Sequence, residues 1–351
     1  MNAPPSLPGF QIFDPFLKTA YVSLWHAYQE NLERQVIITV FRPKTVNNIA
    51  YRQKTVDIIR ILSNAKLTLF PEILDVLQDP NNVHIITEDA SITNILSLLK
   101  GQRLNTKQII HIATQLAKGF EALHQKGLAH NTFSPRHLFI TEDANVLLPD
   151  ITALKRMSAI EDAVDLKIYT DQDLVWLAPE QHEEGVTDID VRIDIFSVGM
   201  TLYALASGQI PFGALSAEEV LEAKFTQTIP SPCDISRSFP PELAAILSKM
   251  TQRDPANRYQ TWQEVHQALQ QFQAGIFPET PPLETSIIAP PTRSTIHKEG
   301  KTIHLSAAQL RTYRKIAAVK KSAPSILRAL IYTLIGLSIL ALLLTLWVCC
   351  L

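Results

Sequence analysis

The sequence is poor in cysteine, and its few cysteines form no recognisable pattern. Its 351 residues include only Cys233, Cys349 and Cys350. Zinc sites need several cysteines or histidines at short spacings, and disulfide frameworks need paired cysteines in a small secreted chain. The sequence therefore indicates neither a zinc site nor a disulfide scaffold.

Basic clusters and a secretory signal are also missing. The net charge is −2, and the first 275 residues contain no basic block interleaved with aromatic residues. This argues against nucleic acid as the main partner. Met1–Gly9 is rich in proline and has neither the charged region nor the apolar run of a signal peptide. We therefore expect the bulk of the chain to be cytosolic.

Acidic residues are absent from Gly300 to the C-terminus. Basic residues in this region precede an uncharged apolar run, 329–351, of about 23 residues, which as a helix would be roughly 34 Å long and could cross a bilayer. The alternative is a buried core helix, which is usually shorter and carries some polar residues. The excess of Lys and Arg before the run predicts that the N-terminal part faces the cytoplasm. These basic residues are Lys301, Arg311, Arg314, Lys315, Lys320, Lys321 and Arg328.

The patterning divides the chain into three predicted regions. Residues 10–275 alternate between strand-like and helix-like patterns and are long enough for one large domain. Residues 276–325 begin with a proline-rich, extended linker and continue as a basic juxtamembrane segment. Residues 326–351 contain the predicted transmembrane helix.

Within the first region, a β-rich start precedes a helical body. Apolar residues recur at helical spacing over Thr106–Lys126, with Thr106 as the predicted N-cap and Gly127 as the stop. The stretch Gln29–Glu33 is turn-like. The predicted strands are Tyr21–Ala27, Gln35–Phe41, Ile73–Leu77 and Val83–Thr87.

Four segments in this region occur in an order that is typical of one family. The first, His130–Asp150, reads HNTFSPRHLFITEDANVLLPD, and the second is Ala178-Pro179-Glu180. The third begins at Asp190 and reads DVRIDIFSVGMTLYALASGQIPF, and the fourth begins at Arg253 and reads RDPANRY. Together they resemble the motifs of protein kinases, in particular the membrane-anchored bacterial serine/threonine kinases. The resemblance covers roughly 10–272.

This resemblance implies an α+β, two-lobed fold with a small β-rich lobe and a large helical lobe. It also implies structural roles for several polar residues. Glu180 and Arg258 would form a largely buried, bidentate ion pair across the large lobe. Asp194 would cap the backbone of the catalytic loop, in the segment that begins at Asp190. His130 would pack and hydrogen-bond beneath the metal-binding loop.

Most catalytic positions that the resemblance defines hold residues without the required chemistry. Thr132 replaces the Asp general base, Ser134 replaces the catalytic-loop Lys, and His137 replaces the metal-binding Asn. A hydroxyl has no useful basicity, and Mg²⁺ prefers oxygen ligands to imidazole. Asn131 replaces the Arg that reads a phosphorylated activation loop. Asp150 keeps the metal-binding position, but a loop or capping carboxylate explains it equally well, since Ile-Thr follows it in place of Phe-Gly.

The nucleotide-binding positions are altered as well. Thr39 stands where the phosphate-pairing Lys is expected, and a neutral hydroxyl cannot replace an ammonium there. Glu88 lies at the hinge, after Thr87 at the gatekeeper position, and hinge backbone alone could hold an adenine ring. Lys18 could reach the phosphates from another direction. The three loop-glycine positions hold Leu17, Thr19 and Val22. A helix at about Asn47–Ser63 should carry the Glu that pairs with the Lys, and its candidates are Lys54, Asp57 and Ile58.

These residues predict a membrane-anchored pseudokinase that serves as a protein-binding or regulatory signalling module at the cytoplasmic face. Its expected partners are proteins, such as an active kinase relative. The family cofactors, ATP and Mg²⁺, would have only Thr39, Glu88 and Asp150 left to contact them, so nucleotide binding is predicted to be weak or absent. Two alternatives stay open. One is an atypical or weakly active ATP-dependent serine/threonine kinase that uses Asp150 and Lys18, and the other is a switch that binds ATP without turnover.

Overall fold

The computed structural model describes most of the first predicted region. It covers residues 6–19, 22–41, 49–78, 83–99, 103–157, 171–182, 190–235 and 238–276. Apart from Ile276, the linker and the transmembrane helix predicted at 276–325 and 326–351 lie outside the described residues. Within the described ranges, no helix is long and apolar enough to cross a membrane.

Five antiparallel strands form the sheet of the small lobe, in the order β1-β2-β3-β5-β4. Four of them overlap the predicted strands and extend beyond them by one or two residues at one end, and a further strand, β1, precedes them. The predicted turn becomes a 3-10 turn at Glu30–Leu32, and Glu33 closes it with a positive φ of 48°. The strands are β1 (Phe10–Lys18), β2 (Val22–Gln29), β3 (Arg34–Phe41), β4 (Ile73–Gln78) and β5 (Val83–Glu88).

Alternation of side chains gives the sheet two apolar faces. Val36 and Ile38 of β3 pack in a small cluster on one face. Ile37 lies on the other face and belongs to the main core, which continues into the large lobe. Helix α1 (Ile49–Ala65) joins this core, and it corresponds to the helix predicted at about Asn47–Ser63. The sheet therefore presents one side toward the interior of the protein.

The large lobe consists mainly of helices, with short strands near the catalytic segment. The helices are α2 (Ile95–Leu99), α3 (Thr106–Gln125), α4 (Asp171–Leu174), α5 (Arg192–Ser207), α6 (Ala217–Thr226), α7 (Pro232–Ile235), α8 (Pro241–Met250) and α9 (Trp262–Gln273). The strands are β6 (Thr93–Asn94), β7 (Leu128–Ala129), β8 (Phe139–Ile140), β9 (Val146–Leu147) and β10 (Lys155–Arg156). Strand β8 lies between β6 and β9, and β7 pairs with β10.

Helix α5 forms the centre of the large lobe. Its residues are buried without interruption from Ile193 to Ser207, because apolar or small side chains lie on every side of the helix. Helices α3 and α8 pack against it. Gly199 allows the close approach of α8, since a Cβ atom at this position would lie 2.7 Å from Met250 Cβ. The helix is thus packed on several sides, so the side chains in its first turn have a fixed position.

The N-cap of α3 differs from the prediction. The prediction of Thr106 was wrong, because Asn105 takes the cap position and Thr106 is the first helical residue. The Asn105 side chain accepts a hydrogen bond from Gln108 N–H, and the Gln108 side chain accepts one from Asn105 N–H, each at 3.0 Å. Asn caps at least as well as Thr, and the reciprocal pair satisfies two donors. Gly127, with a φ of 69°, follows the end of the helix as predicted.

Candidate functional site

The catalytic loop is held by one buried carboxylate from the central helix. Asp194, in the first turn of α5, has no exposed surface. Its two oxygens accept hydrogen bonds from the backbone N–H groups of His130 and Asn131, both at 2.8 Å. His124 Nε2 lies 3.0 Å from the same carboxylate. The carboxylate therefore fixes the start of the loop, which is the arrangement expected for Asp194.

An ion pair connects the end of the activation segment to the loop before α9. Arg258 Nη1 donates to Glu180 Oε1 at 2.6 Å, and Nη2 donates to Glu180 Oε2 at 2.8 Å. The same guanidinium also donates to the carbonyl oxygens of Gln252, Arg192 and Arg253. Arg258 is 2% exposed. The structure thus shows the buried, bidentate pair expected from the sequence, and the backbone carbonyls satisfy the remaining guanidinium donors.

Asp190 acts locally, at the start of the same helix. Its carboxylate accepts from the Arg192 backbone N–H and from Arg192 Nε, both at 2.9 Å. Arg192 Nη1 in turn donates to Gln260 Oε1 at 2.9 Å. Asp190 therefore holds the entry to α5 and connects it to the loop that precedes α9.

A neutral side chain connects the catalytic loop to the Ala-Pro-Glu motif. Gln181 Nε2 donates to the Asn131 carbonyl oxygen at 2.7 Å, and Gln181 Oε1 accepts from Ala178 N–H at 2.8 Å. Asn131 adopts a positive φ of 68°, which Asn tolerates better than most residues. The two segments are therefore joined by amide groups at the place where the family has an Arg that reads a phosphate.

Lys224 is a second buried cation near the Ala-Pro-Glu motif. Its Nζ donates hydrogen bonds to the carbonyl oxygens of Leu174 and Leu177. Burial lowers the pKa of Lys224 well below its ordinary value, and the carboxylate of Glu180 opposes this change. Sequence reasoning missed Lys224, Gln181 and His124, because each contacts a residue far away in the chain and no local pattern marks it.

Apolar residues surround the position of the phosphate-pairing Lys. Thr39 lies in β3, with Leu24 of β2 and Ile85 of β5 as its cross-strand neighbours, and it is 1% exposed. None of the predicted candidates on helix α1 is a Glu. Ile58 is the buried one, while Lys54 is exposed and Asp57 pairs with Arg60 of its own helix at 3.1 Å. The Lys position itself therefore provides no charged group for a phosphate.

The turn between β1 and β2 is closed by hydrogen bonds between its own residues. Thr19 N–H donates to the Val22 carbonyl oxygen at 2.9 Å, and Val22 N–H donates to Thr19 Oγ1 at 3.2 Å. Leu17 pairs across the hairpin with Leu24. Lys18 is exposed. The N–H groups at two of the three glycine positions are therefore committed to closing the turn and do not point at a ligand.

The remaining catalytic-loop positions form a small polar and aromatic cluster. Ser134 Oγ lies 3.2 Å from His137 Nδ1, and the rings of His130 and His137 are 5.0 Å apart. Burial lowers the pKa of His137, and Asp150 opposes this change. Burial also lowers the pKa of His130 well below 6.5. Thr132 is partly exposed. Neutral imidazoles and hydroxyls thus occupy the positions of the base, the Lys and the Asn.

His130 keeps its packing role but not the expected hydrogen bonds. Its ring lies 5.4 Å from that of Phe133 and 6.3 Å from that of Phe120, measured between centroids. Neither ring nitrogen has a hydrogen-bond partner among the described residues. Its contribution in this part of the chain is therefore aromatic packing.

Asp150 is engaged locally. One carboxylate oxygen, Oδ1, accepts from Thr152 N–H at 3.0 Å and from Thr152 Oγ1 at 2.6 Å. Asp150 thereby caps the 3-10 turn Ile151–Ala153 and is 2% exposed. This is the capping arrangement that the sequence left open as an alternative to a metal ligand.

The chemistry around Asp150 does not fit the Mg²⁺ and ATP that the fold family uses. Mg²⁺ requires several oxygen ligands in octahedral geometry. Asp150 Oδ1 already accepts two hydrogen bonds from Thr152, and the family's second metal-binding position holds the imidazole of His137. Among the described residues, no group of three or more His, Cys, Asp or Glu side chains is placed to hold a metal ion. Glu88 at the hinge accepts a hydrogen bond from Glu72 N–H at 3.0 Å. We therefore derive no phosphoryl-transfer step from these residues.

Comparisons with known proteins agree with this architecture. Residues 22–271 match the family model of the protein kinase domain. A probable serine/threonine-protein kinase of Clostridium perfringens is 26% identical over 246 residues, which cover 69% of this chain and 35% of that protein. Serine/threonine-protein kinase ULK3 of Xenopus laevis is 26% identical over 261 residues, which cover 73% of this chain and 54% of that protein.

Two further proteins are similar to this chain. Serine/threonine-protein kinase PknL of Mycobacterium tuberculosis is 27% identical over 152 residues, which cover 43% of this chain and 37% of that protein. A crystal structure of a double mutant of the Mycobacterium tuberculosis PknI kinase domain has a TM-score of 0.58 at 16% identity and covers 77% of this chain and 98% of that domain. The latter shows the fold alone.

The chain spans between about a third and about half of the length of these curated relatives. The expected two-lobed fold, with a β-sheet in the small lobe and helices in the large one, is confirmed. Because the family model covers well over half of the sequence, this chain belongs to the protein kinase domain family.

Proposed function

We propose that the chain is a membrane-anchored pseudokinase, a kinase-fold module that binds protein partners at the cytoplasmic face of a membrane and transfers no phosphate. One contrast carries the proposal. The charged groups that shape the large lobe, Asp194 and the Glu180–Arg258 pair, are present and fully partnered. The positions that would handle phosphate, proton and metal hold Thr39, Thr132 and His137.

The missing groups account for a large loss of rate. Removing a positioned general base costs about 10² to 10⁴ in rate. The absent Lys residues remove electrostatic stabilisation of the transferred phosphoryl group, which is usually the largest single contribution. As a carboxylate, Asp150 cannot supply the missing positive charge, and its Oδ1 already accepts two hydrogen bonds from Thr152.

A phosphotransfer assay on the full chain tests the proposal. The purified protein, in detergent, is incubated with labelled ATP, Mg²⁺ and a general acceptor protein, beside an active serine/threonine kinase as positive control. We expect no transfer to itself or to the acceptor above background. A Mg²⁺-dependent transfer that disappears in Asp150→Ala would favour the alternative, an atypical ATP-dependent serine/threonine kinase.

The membrane anchor is the second part of the proposal and rests on the apolar run 329–351 and the basic residues before it. The folded domain should then be protected from protease in right-side-out spheroplasts and digested in inverted vesicles. The opposite pattern, or recovery of the full chain without membranes, would refute this part.

Protein partners are the third part. The start of the catalytic loop and the described end of the activation segment, residues 171–182, are held by buried contacts of Asp194, Gln181 and Arg258. Such a fixed surface supports a role in recognition. An active kinase relative is the partner we propose first. Binding of the full chain to such a kinase, measured by calorimetry, would support this choice, and its absence would reject it.

A further inference from the structure

One aromatic residue of the small lobe reaches across to the large lobe. Phe16 lies in β1, immediately before Leu17, the first of the three glycine positions. Its ring contacts that of Phe139 in β8, two residues after His137, with centroids 5.6 Å apart and planes at 82°. In kinases the glycine-rich loop at the end of this strand covers a bound nucleotide. The roof and the floor of the cleft therefore meet directly at this contact.

The contact leaves no room for a heteroaromatic ring between the two side chains. Carbon atoms in contact lie about 3.5 to 4.0 Å apart, so a ring inserted between two walls needs about 7 Å between them. An edge-to-face pair with centroids between about 4.5 and 7 Å is already in van der Waals contact. Phe16 and Phe139 thus fill the space that a stacked adenine would require.

Phe16 is fixed from its other side as well. Its ring lies 4.5 Å from the ring of His26 in β2, with the planes at 34°. His26 Nδ1 lies 2.8 Å from Asp89 Oδ2, and Asp89 directly follows Glu88 at the predicted hinge. Asp89 is 6% exposed by its side chain. The aromatic contact is therefore connected to the hinge by a hydrogen bond.

The cleft side of the sheet is buried by the protein's own atoms. Leu24 and Ile37, on this face, are 0% and 1% exposed. They belong to the same continuous core as Leu138 and Val146 of the large lobe, and Phe16 packs against that core. The cleft is therefore closed by apolar packing, with Phe16 at its edge.

We propose that Phe16 is the residue that excludes adenine nucleotides from the cleft, by occupying the adenine position against Phe139. The inference rests on the proposed function, because it names the physical cause of weak or absent nucleotide binding at that site. Shortening the Phe16 side chain should open the position between the lobes. An adenine ring could then enter between the lobes next to the hinge.

The experiment measures binding of ATP and of adenosine to the full chain by isothermal titration calorimetry. The wild type should show no binding of either compound at millimolar concentration. Phe16→Ala should bind both, with an affinity gain of at least about tenfold, because the aromatic contact that competes with the ligand is lost. Adenosine should gain as much as ATP, since the change concerns the base and no phosphate contact.

The matched control is Phe13→Ala, on the same strand, because Phe13 is 49% exposed. This variant should behave like the wild type. Phe16→Leu is a second variant for the case that Phe16→Ala does not fold. It keeps an apolar side chain of similar volume but removes the planar ring. Its affinity for adenosine should lie between that of the wild type and that of Phe16→Ala.

Two outcomes would overturn the inference. One is stoichiometric binding of ATP or adenosine by the wild type, and the other is a folded Phe16→Ala or Phe16→Leu protein that gains no binding. Neither outcome involves phosphate transfer, so the pseudokinase proposal would stand or fall separately in the phosphotransfer assay. Phe16→Ala itself should bind nucleotide and still transfer nothing, because Thr132 supplies no base.

Discussion

The framework of the large lobe and the cleft between the lobes differ in the side chains at their buried polar positions. In the framework, Asp194, Glu180 and Arg258 are charged, and each forms at least two hydrogen bonds. In the cleft, Thr39 and the positions of the catalytic loop are neutral, and apolar or aromatic packing surrounds them. A buried charge is tolerated only when it is paired and hydrogen-bonded. Charge is therefore kept where it shapes the backbone, and the one carboxylate left at a ligand position, Asp150, also caps a turn.

Removing a framework charge should have the largest effect. Arg258→Ala leaves the Glu180 carboxylate buried without its partner, and we expect a loss of about 3 to 5 kcal/mol in the free energy of unfolding. Chemical denaturation followed by tryptophan fluorescence would measure it. The control is Arg60→Ala, which breaks an exposed pair with Asp57 at 3.1 Å and should cost no more than about 1 kcal/mol. Equal losses of stability in the two variants would show that the buried pair contributes no more than the exposed one.

Removing a neutral contact between framework and cleft should have an intermediate effect. Gln181→Ala deletes hydrogen bonds to the Asn131 carbonyl oxygen and from Ala178 N–H, and leaves buried groups unsatisfied. We expect a loss of about 1 to 3 kcal/mol in the same denaturation experiment. Gln252→Ala, at an exposed side chain that donates to the Ser248 carbonyl oxygen, should change stability by no more than about 0.5 kcal/mol. A loss below that of the control would show that the amide contact does not hold the activation segment.

The smallest effect should be a pH dependence from His130, one of the two buried histidines of the catalytic loop whose pKa is lowered. Burial lowers the pKa of His130 well below 6.5. Between the folded pKa and the unfolded value of about 6.5, the unfolded state binds the extra proton, so stability falls as pH falls through this window. The slope from this group is at most about 1.4 kcal/mol per pH unit. His130→Leu should have a shallower slope below pH 6.5, measured by denaturation at several pH values, and an unchanged slope would contradict this origin.

Contacts between residues that each have a fixed position in the family motifs could be predicted from the sequence. The Glu180–Arg258 pair and the capping role of Asp194 followed from motif order, because each residue has one position in the family pattern. The N-cap of α3 was placed one residue too late, since Asn105 and Thr106 both suit a cap and only the reciprocal contact with Gln108 decides between them. His130 was expected to form hydrogen bonds, and in the described structure its ring contacts are aromatic.

Contacts between distant segments could not be predicted in this way. His124 reaches Asp194, Gln181 reaches Asn131, and Lys224 reaches the carbonyl oxygens of Leu174 and Leu177. None of these residues stands in a motif, and each partner is many residues away. A single sequence carries no signal for such pairs, because their proximity results from how the helices of the large lobe pack.

The family, the two lobes and the absence of the catalytic side chains follow from residue identity and order. What the altered positions do depends on the folded structure. Asp150 caps a turn, Thr19 and Val22 close a hairpin, and Phe16 meets Phe139 between the lobes. The physical reason is that a side chain's partners are set by distance in space, and the strand that carries Phe16 is brought to Phe139 only when the two lobes pack against each other.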